Sequence, residues 1–148
     1  MLPIIDEVVS SAHLEMRGLV VTKDIFGHPP TILGSPQQLR QLVWNLLVNA
    51  AEAMPHQGQV RIVLETTERD VELTVEDDGP GIPAKLRNRV FEPLFSTKVY
   101  GTGLGLAIVK QIAMNHGGMV EILERDRRGA AIQVRLPRNG YACTSNLQ

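Results

Sequence analysis

Cysteine is nearly absent from the 148 residues: Cys143 is the single one, and it lies in a polar tail. That excludes an intrachain disulfide framework and a cysteine-ligated metal site. A charge of one sign is missing as well, with 15 Lys and Arg against 16 Asp and Glu and a formal net charge of -1. No global field therefore draws the chain to nucleic acid or anionic lipid, and any anion it binds must be held locally. No apolar run approaches the roughly 20 residues that span a bilayer, and no basic stretch followed by an apolar block opens the chain. The segment is expected to be soluble and cytoplasmic, without membrane contact of its own, any anchor belonging to the rest of a larger parent protein. Aromatics make up 4% beside an apolar fraction of 43%, which points to an aliphatic core in one domain.

What is present is regular patterning. Residues 3–17 place Ile5, Val8, Val9, Ala12 and Met16 at helical spacing before Gly18, a first amphipathic helix. Residues 19–25 and 31–33 are short β-branched or aliphatic runs around Gly27-His28-Pro29-Pro30 and read as strand, turn, strand. Ser35-Pro36 supplies an N-cap and a first-turn proline to the series Leu39, Leu42, Val43, Leu46, Leu47, Ala50, a second helix. Residues 60–66 and 71–75 alternate as a hairpin. A short helix is expected over 83–89, a helix over 104–116 ending at Gly117-Gly118, and a last hairpin over 119–123 and 131–136. Residues 139–148 read as a disordered tail, leaving 1–138 as the domain. Helices separated by hairpins imply an α/β two-layer sandwich with a mixed, mostly antiparallel sheet and three main helices on one face.

Three groups of residues carry chemistry. Asn45, Asn49 and Glu52 share one stripe of the second helix. Such a stripe is either a solvated face or an oxygen-presenting site for Mg²⁺, which takes few protein ligands beside water and phosphate. In Asp77-Asp78-Gly79-Pro80-Gly81-Ile82, a tight turn would need one glycine and no aspartate. Two glycines let backbone approach a flat ligand, and a carboxylate ending a buried strand can accept from an exocyclic amine, as on adenine. Gly101-Thr102-Gly103-Leu104-Gly105-Leu106 enters a helix, where glycines and exposed amides suit phosphate. Its Gly-x-Gly-x-Gly spacing fails the dinucleotide fingerprint, and no Gly-Lys-Ser/Thr makes it a P-loop. Lys98, three residues upstream, is either solvated or a point charge for the terminal phosphates.

These residues resemble a known family. "QLRQLVWNLLVNAAEAM", "VEDDGPGIP", "VFEPLFSTK" and "GTGLGLAIVKQIAMNHGG" resemble the N, G1, F and G2 boxes of histidine kinase catalytic domains, in the gyrase, Hsp90, histidine kinase and MutL superfamily. The match spans roughly residues 34–137 in order and spacing, and is most similar to the nitrogen-regulation sensors. The resemblance implies a Bergerat-type ATP pocket. Asn49 corresponds to the Mg²⁺ asparagine, Asp77 to the adenine reader, Gly79 and Gly81 with Ile82 to the residues beside the base, and Gly101, Thr102, Gly103, Leu104, Gly105 and Leu106 to the lid hinge and phosphate site. Phe91 and Phe95, otherwise simple core residues, match the anchor of a lid that is short here.

The ATP-hydrolysing members of that superfamily carry a glutamate one turn before the Mg²⁺ asparagine; this chain has Asn45. An amide is no general base at neutral pH, so the resemblance implies a kinase that holds ATP for an external nucleophile, with Asn45, Asn49 and Lys98 as its catalytic groups. That nucleophile is a histidine on a separate dimerisation domain, and a response regulator acts downstream. None of His13, His28, His56 or His116 has the acceptor's context, and they read as surface or capping residues. Two positions depart from the family pattern: Glu52 stands where many relatives have a lysine or arginine, and Ala130 where a threonine is frequent, both expected to weaken ATP binding. A serine-kinase anti-sigma factor and a non-catalytic nucleotide-sensing module are the alternatives.

Overall fold

The deepest apolar stripe of the sequence becomes the centre of the molecule. In a computed structural model describing residues 1–27, 31–54, 57–95 and 103–138, helix α2 (Pro36–Ala53) buries Leu39, Leu42, Val43, Leu46, Leu47 and Ala50. Each fully buried leucine contributes roughly 1.5–3 kcal/mol. Helix α1 (Leu2–Glu15) adds Ile5, Val8, Val9 and Ala12, and α3 (Gly105–Asn115) adds Leu106, Val109, Ile112 and Ala113. These helices cover one face of a sheet formed by β1 (Leu19–Gly27), β2 (Gly58–Thr66), β3 (Asp70–Asp77), β4 (Met119–Leu123) and β5 (Ala131–Pro137), in the order β1-β2-β3-β5-β4. The β1–β2 pair is parallel, because α2 crosses between the two strands; the other pairs are antiparallel. Register puts Ile62 opposite Val75 and Leu73 opposite both Leu64 and Val134, all buried against the helices. The sandwich expected from the element order is the one observed.

The other sheet face is charged. Arg61 bonds Asp24 at 2.6 Å and lies 3.7 Å from Glu76; the hydrogen bond to Asp24, its charge and then Glu76 raise the arginine's pKa further. Several expectations are corrected. Residues 31–33 form no strand: Leu33 is exposed, and Pro29 and Pro30 beside them have no N–H for a ladder. The sheet therefore has five strands, and β1 runs two residues further than expected. The helix over 83–89 is a single 3-10 turn, Ala84–Leu86. Residues 139–148, read as a tail, lie outside the described residues.

The start of α2 and the end of α3 are tied by side-chain bonds. The Ser35 side chain accepts from Gln38 N–H at 3.2 Å, as an N-cap should. Its own N–H is donated to His116 Nε2 at 3.1 Å, while His116 Nδ1 lies 2.8 Å from the carbonyl of Ile112. A carbonyl only accepts, so Nδ1 carries the proton and Nε2 is the acceptor. His116 is thus a buried cap that ties the start of α2 to the end of α3; of the other histidines, His13 is exposed on α1, and His28 and His56 lie outside the described residues.

Candidate functional site

The stripe on α2 faces a cleft of about 480 Å³, floored by the end of β3 and closed by the start of α3. Asn45, Asn49 and Glu52 all line it. Asn45 Nδ2 is buried with no hydrogen-bond partner, a donor that costs about 1–3 kcal/mol while unmet. The solvated-face alternative for this stripe is therefore excluded at Asn45. Among the described residues no three His, Cys, Asp or Glu side chains converge on a metal. An ion here would bind through amide and carboxylate oxygens of α2 and complete its shell with water and phosphate, which suits Mg²⁺.

Asp77 is 3% exposed at the end of β3. Its Oδ1 accepts from Gly79 N–H at 2.9 Å and from Ala130 N–H at 3.3 Å. Both bonds fall on Oδ1, and the residue lines the cleft. Gly81 and Ile82 line the cleft beside Pro80. Gly79 is buried beside Asp77, where a Cβ would meet Ala53 at 3.0 Å, and its N–H seats the carboxylate.

At the opposite wall Gly103, Leu104, Gly105 and Leu106 line the cleft. No side chain caps α3, so its first-turn amides and dipole can serve an anion. Gly105 is informative because a Cβ there would meet nothing within 4 Å. Protein packing does not require this glycine; a ligand approaching closely would. Gly103 has φ +72, and its carbonyl accepts from Leu94 N–H at 3.0 Å, fastening the F box to the start of the G2 box. Lys98, Gly101 and Thr102 lie outside the described residues.

Some lining residues carried no signal of their own. Val48, Ala53, Val90 and Ile108 form the apolar walls of the cleft. Phe95 lines the cleft under the guanidinium of Arg89, 4.6 Å from its centroid, whereas Phe91 packs against the core. Ala130 also lines it, so the missing threonine hydroxyl falls within the site. Arg125 was not anticipated at all: it reaches the backbone of Asp77 from the β4–β5 turn. A second hollow of about 300 Å³ beside the C-terminal half of α2 shares Val48 and Glu52 with the cleft.

Comparison with known proteins agrees with this geometry. Residues 34–140 match the family described as "Histidine kinase-, DNA gyrase B-, and HSP90-like ATPase". The chain is 41% identical over 107 residues to Sporulation kinase A of Bacillus subtilis (strain 168), covering 72% of this chain but only 18% of that kinase. Its fold is similar to the catalytic domain of histidine kinase ThkA, with TM-score 0.84, 28% identity and coverage of 95% and 93% of the two chains. It is also similar to ShkA, solved full-length in complex with AMPPNP, with TM-score 0.80 and 28% identity over 91% of this chain and 29% of that one.

Proposed function

The chain belongs to the histidine kinase-, DNA gyrase B- and HSP90-like ATPase family, and from that premise we propose that it binds Mg·ATP and transfers the γ-phosphate to a histidine on a separate dimerisation domain. Residues 1–138 act as the catalytic and ATP-binding domain of a two-component sensor kinase, in the cytoplasm, with a response regulator downstream. Among the described residues no helix is long and apolar enough to cross a membrane.

The observation that carries this reading is the joint placement, in one cleft, of a carboxylate with one committed oxygen and a glycine whose empty side the protein does not fill. Asp77 Oδ2 accepts from the adenine amine; a carbonyl in that place would face it without a donor, at about 1–3 kcal/mol. The N-terminal amides of α3 and the open side of Gly105 hold phosphate oxygens. Asn49 holds Mg²⁺, which when bound neutralises charge on the phosphates. Asn45 lines the cleft and, as an amide, cannot deprotonate water. Transfer therefore depends on positioning the γ-phosphate for an imidazole supplied from outside.

The test is incubation with γ-labelled ATP and a histidine-bearing dimerisation domain. Acid-labile, alkali-stable phosphate on that domain, lost with Asn49→Ala, is the expected result. Serine phosphate on an anti-anti-sigma protein would instead establish the anti-sigma kinase, and nucleotide binding with no transfer to any acceptor the sensing module.

A further inference from the structure

We propose that Arg125 is a specificity-determining positioning residue, one that holds Asp77 in the orientation that selects adenine over purines bearing a carbonyl. The inference rests on the nucleotide-binding reading above. The Arg125 side chain is 9% exposed, and a guanidinium is retained in such a place only with its donors engaged. Its Nη1 donates to the Asp77 carbonyl at 2.8 Å and to the Ala130 carbonyl at 3.3 Å, and its Nη2 lies 3.5 Å from the Glu76 carboxylate.

These contacts fall where the sheet runs out. The β3–β5 ladder ends at Glu76 opposite Ala131, so on that side Asp77 is held by other means. Asp77 N–H donates to Ala130 O at 2.9 Å, and Ala130 N–H returns a bond to Asp77 Oδ1. Arg125 bridges the Asp77 and Ala130 carbonyls and so holds Ala130 from its C-terminal side, while the N–H on its other side bonds the carboxylate. Gly129 permits the approach: its φ is +111, and a Cβ would lie 1.8 Å from the Asp77 carbonyl oxygen and 2.8 Å from Arg125 Nη1. Arg128 extends the same clip, donating to Gly79 O at 3.3 Å. Arg127 reaches Glu76 at 3.4 Å but is 67% exposed and contributes little.

Loss of Arg125 loosens Ala130, whose N–H gives the longer of the two bonds to Asp77 Oδ1, and leaves the carboxylate held mainly by Gly79 N–H. Base selection suffers and the phosphate contacts on α3 do not. The experiment is calorimetric titration of the chain, with Mg²⁺ present, by ADP and by IDP, whose base carries a carbonyl where adenine has its amine. Arg125→Ala is expected to weaken ADP about tenfold, the factor carried by one charge-assisted hydrogen bond, and to leave IDP within about twofold, collapsing the ratio. Arg125→Lys, which keeps one donor, restores part of that ratio. An unchanged ratio in Arg125→Ala, or equal weakening of both nucleotides, overturns the proposal by showing a merely structural staple. If Arg125→Ala loses its folded circular dichroism, Arg125→Lys and Arg125→Gln are judged by the same ratio. A wild-type chain that binds ADP and IDP equally overturns the adenine reading itself, without recourse to any variant.

Discussion

Leu94 and Gly103 hold each other across the mouth of the cleft: Leu94 N–H donates to Gly103 O at 3.0 Å, and both residues have left-handed backbones, at φ 66 and φ +72. The two positions are not equivalent. Gly103→Ala would place a Cβ 2.5 Å from the Leu94 backbone carbon, so it should cost more than the roughly 1–2 kcal/mol of a left-handed L-residue and weaken ATP binding. Leu94 is 75% exposed, so Leu94→Gly relieves that strain while losing little packing, partly offset by about 0.5–1 kcal/mol of glycine entropy. Thermal denaturation should show Gly103→Ala clearly destabilised and Leu94→Gly unchanged or slightly stabilised.

Gly105→Ala separates stability from function. The site has room for a Cβ and lies at the first position of a helix, where alanine is favoured over glycine by up to about 1 kcal/mol. The melting temperature should hold or rise while affinity for Mg·ATP falls about tenfold, the loss of one close phosphate contact. Unchanged affinity in a folded variant would remove Gly105 from the phosphate site.

Asn45→Glu should add what the pocket lacks. A carboxylate one turn before Asn49 can accept a proton from water, a role worth about 10²–10⁴ in rate when well placed. Phosphate release from ATP, measured without any acceptor domain, should rise above the wild-type background. A flat background in a variant that still binds ATP would mean that water is excluded by more than the identity of this residue.

His116→Ala tests the tie between the two helices that carry the site. It removes the acceptor for Ser35 N–H and leaves a part-buried donor unmet, at about 1–3 kcal/mol. Urea denaturation should report a loss in that range, with the midpoint shifted and the slope unchanged.

Much of the fold was legible because its signals are local. The α2 stripe, its Ser35-Pro36 entry and the β2–β3 alternation each specify an element without reference to the rest. Two features escaped the sequence where structure depends on distant partners. Residues 31–33 carry aliphatic side chains but find no strand to pair with, and Gly34 is instead pressed against His116. Arg125 lies in no motif; its function exists only once the β4–β5 turn folds back on β3. The cluster of arginines at 125, 127 and 128 beside Gly129 was the only trace of it, and a charge run there reads as a solvated turn.

The two bonds that converge on Asp77 Oδ1 bear on how the cleft could be blocked. With Oδ1 already committed, the donors on the polar edge of an inhibitor have to converge on Oδ2, whose two lone pairs limit how many can be satisfied. Gains in affinity would have to come from filling the apolar walls of Val48, Val90 and Ile108. Selectivity among related kinases would come from a substituent that reaches the small side chain of Ala130, where a relative with threonine has a bulkier, polar group in the way.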